Sequence, residues 1–123
     1  MVVLRRDRGV REVAVRTTVG IDIELIERFG PGSHTLFTAA EWHQIASAAP
    51  ESIAGRWCAK EAVVKAVSAV RRISTRNVEV LTGPDGRPVA SLHRVDLGET
   101  PRVDVTISHA GGTAVAVAVC VWE

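Results

Sequence analysis

A carboxylate and an ammonium four positions apart, Glu61 and Lys65, stand in a stretch of otherwise apolar and small residues from Ile53 to Val70. Ala, Lys and Glu are good helix formers and no Pro interrupts the run, so it reads as one long helix. At about 100° per residue its apolar side chains cover nearly the whole circumference, as in a helix wrapped by the rest of a domain. Ala54, Cys58 and Ser68 share the stripe of Glu61 and Lys65 and leave room for something to approach. Two charges on a largely buried helix are costly unless they pair or bind a ligand. One reading is an (i, i+4) ion pair worth about 0.2–0.5 kcal/mol; the other is a ligand site. Asp22, in Gly20-Ile21-Asp22, and His109, in Ser108-His109, are the other candidates for polar chemistry. An Asp at a strand end also serves as a turn or capping residue, and a loop His has no chemistry assured by its position alone.

The elements that must bring these residues together follow from patterning. Pro50 and Glu51 suit the approach to the central helix. Val19 to Ile23 reads as a strand with Ile21 and Ile23 on one face and Asp22 on the other. Glu24 to Phe29 reads as a short helical stretch, stopped by Gly30-Pro31-Gly32. Thr38-Ala-Ala-Glu41 has the capping-box pattern for a second helix through about Ala48. Val78 to Leu81 and Pro88 to Leu92 form a hairpin across Gly83-Pro84-Asp85-Gly86. Val103, Val105 and Ile107 make the inner face of a further strand, with Asp104, Thr106 and Ser108 opposite. Ala114 to Val121, apolar on both faces, reads as a central strand covered by a helix on one side, and the His109 to Gly112 loop joins it to its neighbour. The expected architecture is α+β, a central helix packed on a small antiparallel sheet.

At 123 residues the chain is one domain with room for a core. The expected division is a basic N-terminal arm over residues 1–18 and a single domain over 19–123. Arg5, Arg6, Arg8, Arg11 and Arg16 face only Asp7 and Glu12 in that arm, which reads as a frayed tail passing into a strand near Val13 to Arg16. A formal net charge of +1 gives no reason to expect a polyanionic partner, so nucleic acid is not expected. The two cysteines, Cys58 and Cys120, lack a disulfide framework and read as reduced and buried. No membrane-spanning run and no secretory signal are read, and the expected location is cytoplasmic.

Gly-Ile-Asp, Trp57-Cys-Ala-Lys-Glu-Ala-x-x-Lys65-Ala and Ile107-Ser-His together resemble the 4′-phosphopantetheinyl transferases, and within them the short holo-acyl-carrier-protein synthase group. The resemblance runs from about Val19 to the C-terminus, and the Lys-Glu-Ala-x-x-Lys segment is its most specific part. It implies transfer of 4′-phosphopantetheine from coenzyme A to a serine of an apo carrier protein, with release of 3′,5′-ADP. It also implies Mg²⁺, held by the carboxylates of Asp22 and Glu61, which lie 39 positions apart. Lys65 matches the lysine that neutralises the phosphates, His109 and Arg56 match coenzyme-binding residues, and Arg28 matches a basic residue that meets the acyl carrier protein. The serine proton would go to a metal-bound water or to a carboxylate; the sequence does not choose. A homotrimer is implied too, with His109 and the Asp22/Glu61 pair meeting one coenzyme from adjacent subunits. The chain departs from the family in a shorter Gly30 to Phe37 stretch, in Thr113 where an aromatic often follows the Ser-His, and in lacking a Gly-rich loop after Lys65. Arg71 and Arg72 stand in that loop's place. These departures motivate the alternative reading of a non-catalytic module that binds carrier proteins or coenzyme A.

Overall fold

The computed structural model describes the backbone of residues 2–6, 9–13 and 15–123, and side chains from Val15 onward. The longest helix, α2 (Pro50–Ser68), is the centre of the fold. It begins with Pro50 itself, three residues before the expected start, because Pro at the first helical position gives up only an N–H that would lack a partner anyway. It ends at Ser68, two residues short of Val70.

One face of α2 lies on a three-stranded antiparallel sheet of order β3-β7-β6, built from β3 (Arg16–Leu25), β6 (Arg102–Ala110) and β7 (Thr113–Trp122). β7 is central, as its doubly apolar sequence predicts. Its Ala114, Ala116, Ala118, Cys120 and Trp122 are buried, and the alternate residues are half-buried. Small residues on both surfaces let the helix sit close. A Cβ on Gly20 would collide with the Ala62 carbonyl and stand 2.7 Å from the Ala66 nitrogen, so only glycine fits there. β6 and β7 are joined across Gly111 and Gly112, both at positive φ (56° and 80°), the geometry of a tight hairpin turn. His109 therefore lies within β6, opposite Ala114, rather than in the loop.

The other side of α2 carries α1 (Ala39–Ile45) and a second ladder, β4 (Val78–Thr82) with β5 (Pro88–Leu92). The expected single small sheet is thus two separate ladders on two flanks of one helix, because the helix is apolar almost all round and needs cover on more than one face. Thr38 caps α1 as expected: its hydroxyl accepts from Glu41 N–H, and Glu41 Oε1 accepts from Thr38 N–H at 2.8 Å. The helix stops at Ile45, short of Ala48.

Three further expectations are corrected. The strand read as Val19 to Ile23 runs from Arg16 to Leu25, ten residues pairing with all ten of β7. The helical stretch Glu24 to Phe29 accordingly shrinks to one 3₁₀ turn, Ile26–Arg28. The N-terminal residues do not form a simple tail at the backbone level: β1 (Val2–Arg6) and β2 (Gly9–Val13) pair antiparallel, and Val15, inside the strand read across Val13 to Arg16, lies outside any strand.

Candidate active site

The alternation along β3 places Gly20, Asp22 and Glu24 on the face toward α2. Val19, Ile21, Ile23 and Leu25 point the other way and are exposed, with Ile23 at 66%. The strand thus turns its acidic residue inward and its apolar residues outward, the reverse of a solitary amphipathic edge strand. Asp22 is 9% exposed. Its Oδ1 accepts from Lys65 Nζ at 3.2 Å, and Lys65 also donates to the Ile21 carbonyl at 2.8 Å. Asp22 Oδ2 is buried with no hydrogen-bond partner among the described residues. A buried carboxylate oxygen left unpaired costs free energy that a bound cation or a donor would recover.

Glu61, half-buried one turn before Lys65, completes the group. Burial pushes its carboxyl above the ordinary glutamate range, the Asp22 charge pushes it further, and Lys65 works against both. The structure therefore brings Asp22, Glu61 and Lys65 together across 39 positions of sequence. Among the described residues Lys65 pairs with Asp22 and not, as an isolated helix would have it, with Glu61. Half of the Lys65 side chain is exposed, leaving its ammonium open to a second anion.

One residue at this site was not singled out in the sequence, and a second was read only as a small, buried neighbour. Glu24 follows Asp22 on the same strand face and raises the Glu61 carboxyl through its charge; its signal was the period-2 spacing from Asp22. The Cys58 thiol donates to the Ala114 carbonyl at 3.5 Å. Burial first, then the charges of Asp22 and Glu24, push it up to about 12, so it stays a neutral thiol.

His109 and Arg28 make no hydrogen bond or ion pair with this trio among the described residues. Sheet register sets Asp22 in a row with Ala116 and Ile107, and Glu24 in the next row with Ala114 and His109. His109 is exposed on the same face, two strands from Glu24, about 10 Å at ordinary strand spacing. Arg28 is exposed on the 3₁₀ turn that follows β3.

Arg56 is in a different place. It is 7% exposed, and its guanidinium donates to the Val80 carbonyl at 2.7 Å, to Gln44 Oε1 at 2.8 Å and to Thr82 Oγ1 at 2.8 Å. It ties α2 to α1 and β4 and is not gathered with Asp22, Glu61 and Lys65. Lys60, inside the same motif, is also structural. Its ammonium meets Glu41 Oε1 at 2.6 Å, and Glu41 Oε2 accepts the Val80 N–H at 2.8 Å.

The residues fit a hard divalent cation. Asp22 and Glu61 offer carboxylate oxygens, one of them unpartnered, and oxygen is the donor Mg²⁺ prefers. No three His, Cys, Asp or Glu side chains converge as a cage among the described residues, so phosphate and water oxygens would complete the coordination.

The chain is similar to known proteins. Residues 18–120 match the 4′-phosphopantetheinyl transferase superfamily. The holo-[acyl-carrier-protein] synthase of Salinispora arenicola is 37% identical over 116 residues, covering 82% of this chain and 94% of its own. The solved acyl carrier protein synthase of Mycobacterium tuberculosis is 38% identical with a TM-score of 0.66, over 84% of this chain and 95% of that one. The holo-(acyl-carrier-protein) synthase of Bacillus anthracis, solved in complex with CoA (3′,5′-ADP), aligns over 89% of this chain and 100% of its own, at 26% identity and a TM-score of 0.69. With residues 18–120 matched by the family model and a relative 37% identical over 82% of the chain, the chain belongs to the 4′-phosphopantetheinyl transferase superfamily.

Proposed function

We propose that this chain transfers the 4′-phosphopantetheine of coenzyme A to a serine hydroxyl of an apo acyl carrier protein. The observation that carries the reading is Asp22: a buried carboxylate with one oxygen on Lys65, the other unpartnered, and Glu61 beside it. In the reaction the serine Oγ forms a bond to the phosphorus that carries pantetheine, and the bond from that phosphorus to the 3′,5′-ADP oxygen breaks. Negative charge grows on the bridging anhydride oxygen as it leaves with 3′,5′-ADP, so positive charge at the diphosphate lowers the barrier, and the serine proton passes to a carboxylate or to water. Lys65, half-exposed and held from below by Asp22 and the Ile21 carbonyl, supplies one such charge. Mg²⁺ held by Asp22 and Glu61 would supply the rest by neutralising phosphate oxygens. His109 adds a donor toward the coenzyme phosphates, and Arg28 an exposed charge toward the carrier.

The same reading includes a cyclic homotrimer. The outward face of β3 supports it, since Val19, Ile21, Ile23 and Leu25 are 61%, 58%, 66% and 43% exposed beside the half-buried valines of β7. A contiguous apolar band of this kind is covered in an assembly far more often than left in water. In the trimer His109 of one subunit and the Asp22/Glu61 pair of the next would share a coenzyme. No helix among the described residues is long and apolar enough to cross a membrane; the reaction, between two water-soluble substrates, calls for a cytoplasmic setting.

The test is mass spectrometry of an apo acyl carrier protein incubated with the chain, coenzyme A and Mg²⁺. A mass gain of one phosphopantetheine, absent when EDTA is added, is expected. An unmodified carrier at stoichiometric enzyme would overturn the reading in favour of a binding module.

A further inference from the structure

At Lys65 one ammonium has two uses that compete. Strand β3 runs hard against α2 here: a Cβ on Gly20 would stand 2.9 Å from the Lys65 Cβ. With the strand so close, the Lys65 ammonium reaches the Ile21 carbonyl at 2.8 Å and Asp22 Oδ1 at 3.2 Å. It therefore covers one oxygen of a nearly buried carboxylate whose other oxygen is buried without a partner among the described residues. A divalent cation coming to Asp22 arrives beside a positive charge already seated there. Like charges in a partly buried site repel far more than in water, so the ammonium lowers the affinity of these carboxylates for a metal.

The local charge makes the ammonium's place useful and its hold loose. Three carboxylates, Asp22, Glu24 and Glu61, act on one another at this point, and Lys65 is the cation that offsets them. Without it the cluster would carry its negative charge uncompensated. Yet the lysine is not locked. Its side chain is half-exposed on a flexible four-carbon stem, and its bond to the Ile21 carbonyl is open to water. A phosphate oxygen offers the ammonium a charge-assisted bond, stronger than the one it makes to a backbone carbonyl.

We propose that Lys65 is an exchangeable counter-ion. Seated on Asp22, it holds down divalent-metal affinity; a diphosphate that draws the ammonium away uncovers the carboxylates, so that metal and coenzyme load together. A site open in only a fraction of the molecules binds with its affinity reduced by that fraction. The coupling is reciprocal, so the coenzyme gains from the metal the same factor that the metal gains from the coenzyme. Lys65 thus does more than neutralise phosphate: it makes the chain resist loading with metal alone. The proposal rests on the two-carboxylate metal reading above, and the experiment keeps the two apart.

The affinity of the full chain for Mn²⁺, used as the probe, is measured by electron paramagnetic resonance of the free ion, first without coenzyme A and then with coenzyme A at saturation. Circular dichroism checks the fold of each variant. Lys65→Met, which nearly keeps the length and removes the charge, should bind Mn²⁺ about tenfold tighter or more than the unmodified chain without coenzyme A. Coenzyme A should then raise its metal affinity by a factor about tenfold smaller than in the unmodified chain. Lys65→Arg, which keeps the charge, should bind Mn²⁺ alone about as weakly as the unmodified chain. Asp22→Asn should lose the ion. Metal affinity of Lys65→Met equal to or below that of the unmodified chain, with the ion still lost in Asp22→Asn, overturns the exchange and leaves the two-carboxylate site standing. Tighter metal binding in Lys65→Met with an undiminished coenzyme effect also overturns the exchange. Mn²⁺ binding that survives Asp22→Asn in full, or that is absent from both the unmodified chain and Lys65→Met, overturns the exchange and the metal reading together.

Discussion

Helix α2 carries two lysine–carboxylate pairs, five residues apart, and they are built for opposite ends. Lys60 and Glu41 are both almost fully buried, at 2.6 Å, and every oxygen of Glu41 is used, by Lys60, the Thr38 N–H and the Val80 N–H. Lys65 and Asp22 are looser, at 3.2 Å, with Lys65 half in solvent and one Asp22 oxygen unpaired. A closed pair offers nothing to a ligand and fixes how α1, α2 and β4 lie together. An open pair has unspent hydrogen-bonding capacity on a rigid helix, which is what positioned chemistry requires. Charge type and spacing alone do not distinguish them; completeness of solvation by the protein does.

The comparison breaks if the open pair proves structural. Asp22→Ala and Glu61→Ala should each lower phosphopantetheine transfer by a hundredfold or more, and both proteins should still fold. Carrier modification read by mass spectrometry, with circular dichroism as the check on folding, decides it. Transfer within threefold of the unmodified chain in either variant would sink the two-carboxylate site.

The closed pair should show the reverse pattern. Lys60→Ala leaves Glu41 buried without its cation and is expected to cost about 3–5 kcal/mol of stability. Lys60→Met together with Glu41→Leu removes both charges, so it should recover a part of that loss while the capping bonds of Glu41 remain missing. Urea unfolding of the single and double variants measures both. A Lys60→Ala chain that unfolds at the same urea concentration as its parent would remove the distinction between the pairs.

Lys65→Ala lies between these. On the proposed reading it removes a charge offered to the phosphates and only a half-exposed ion pair, so turnover should fall tenfold or more while carrier affinity and stability change little. Separate measurement of kcat and carrier affinity tests this; an equal loss in both would make Lys65 a binding group only.

How much of this was legible depended on whether a residue's role was written locally. The grouping of Asp22 with Glu61 and Lys65, 39 positions apart at the nearest, was readable only through the resemblance of the two motif words, and the structure sets these residues close together. The α1 cap at Thr38–Glu41 was readable because its residues are contiguous. Lys60 sits in the same motif yet its partner is 19 positions away on α1, so nothing in its neighbourhood announced a buried ion pair. The available signal was a lysine between Trp57 and Val63 on an apolar helix, a position that requires a partner. Arg56 was taken toward the nucleotide by resemblance, whereas its hydrogen bonds run to Gln44, Val80 and Thr82. The length of β3 was hidden because Glu24 and Leu25 were read into a helix, although Val19, Ile21, Ile23 and Leu25 keep a strand's alternation; pairing with β7 over ten positions outweighs the local tendency. That apolar alternation faces outward, and only the structure could show it, since sequence periodicity fixes which residues share a face and not which face is covered.

The smallest expected effect sharpens the comparison from the side of pH. The Glu61 carboxyl is pushed above its ordinary value of 4.5 by burial and by Asp22, so in the folded chain it holds its proton to higher pH than in the unfolded chain. Its contribution to stability is therefore fully present below about pH 4.5 and is lost as pH rises through the raised folded value. Glu61→Gln keeps the shape and removes the charge, so at pH 7 without metal it should melt slightly above its parent. The difference should shrink toward zero as the pH is brought below 4.5, where the parent is neutral at this position as well. Added Mg²⁺ should reverse the order at pH 7, because a cation bound to the folded parent stabilises it by mass action and the amide holds the cation less well. Melting curves of the two proteins at pH 4 and pH 7, with and without Mg²⁺, give all the required differences. A glutamine variant less stable than its parent at pH 7 without metal would mean that the Glu61 charge is already satisfied by the protein, and the open pair would then be as closed as Lys60 and Glu41.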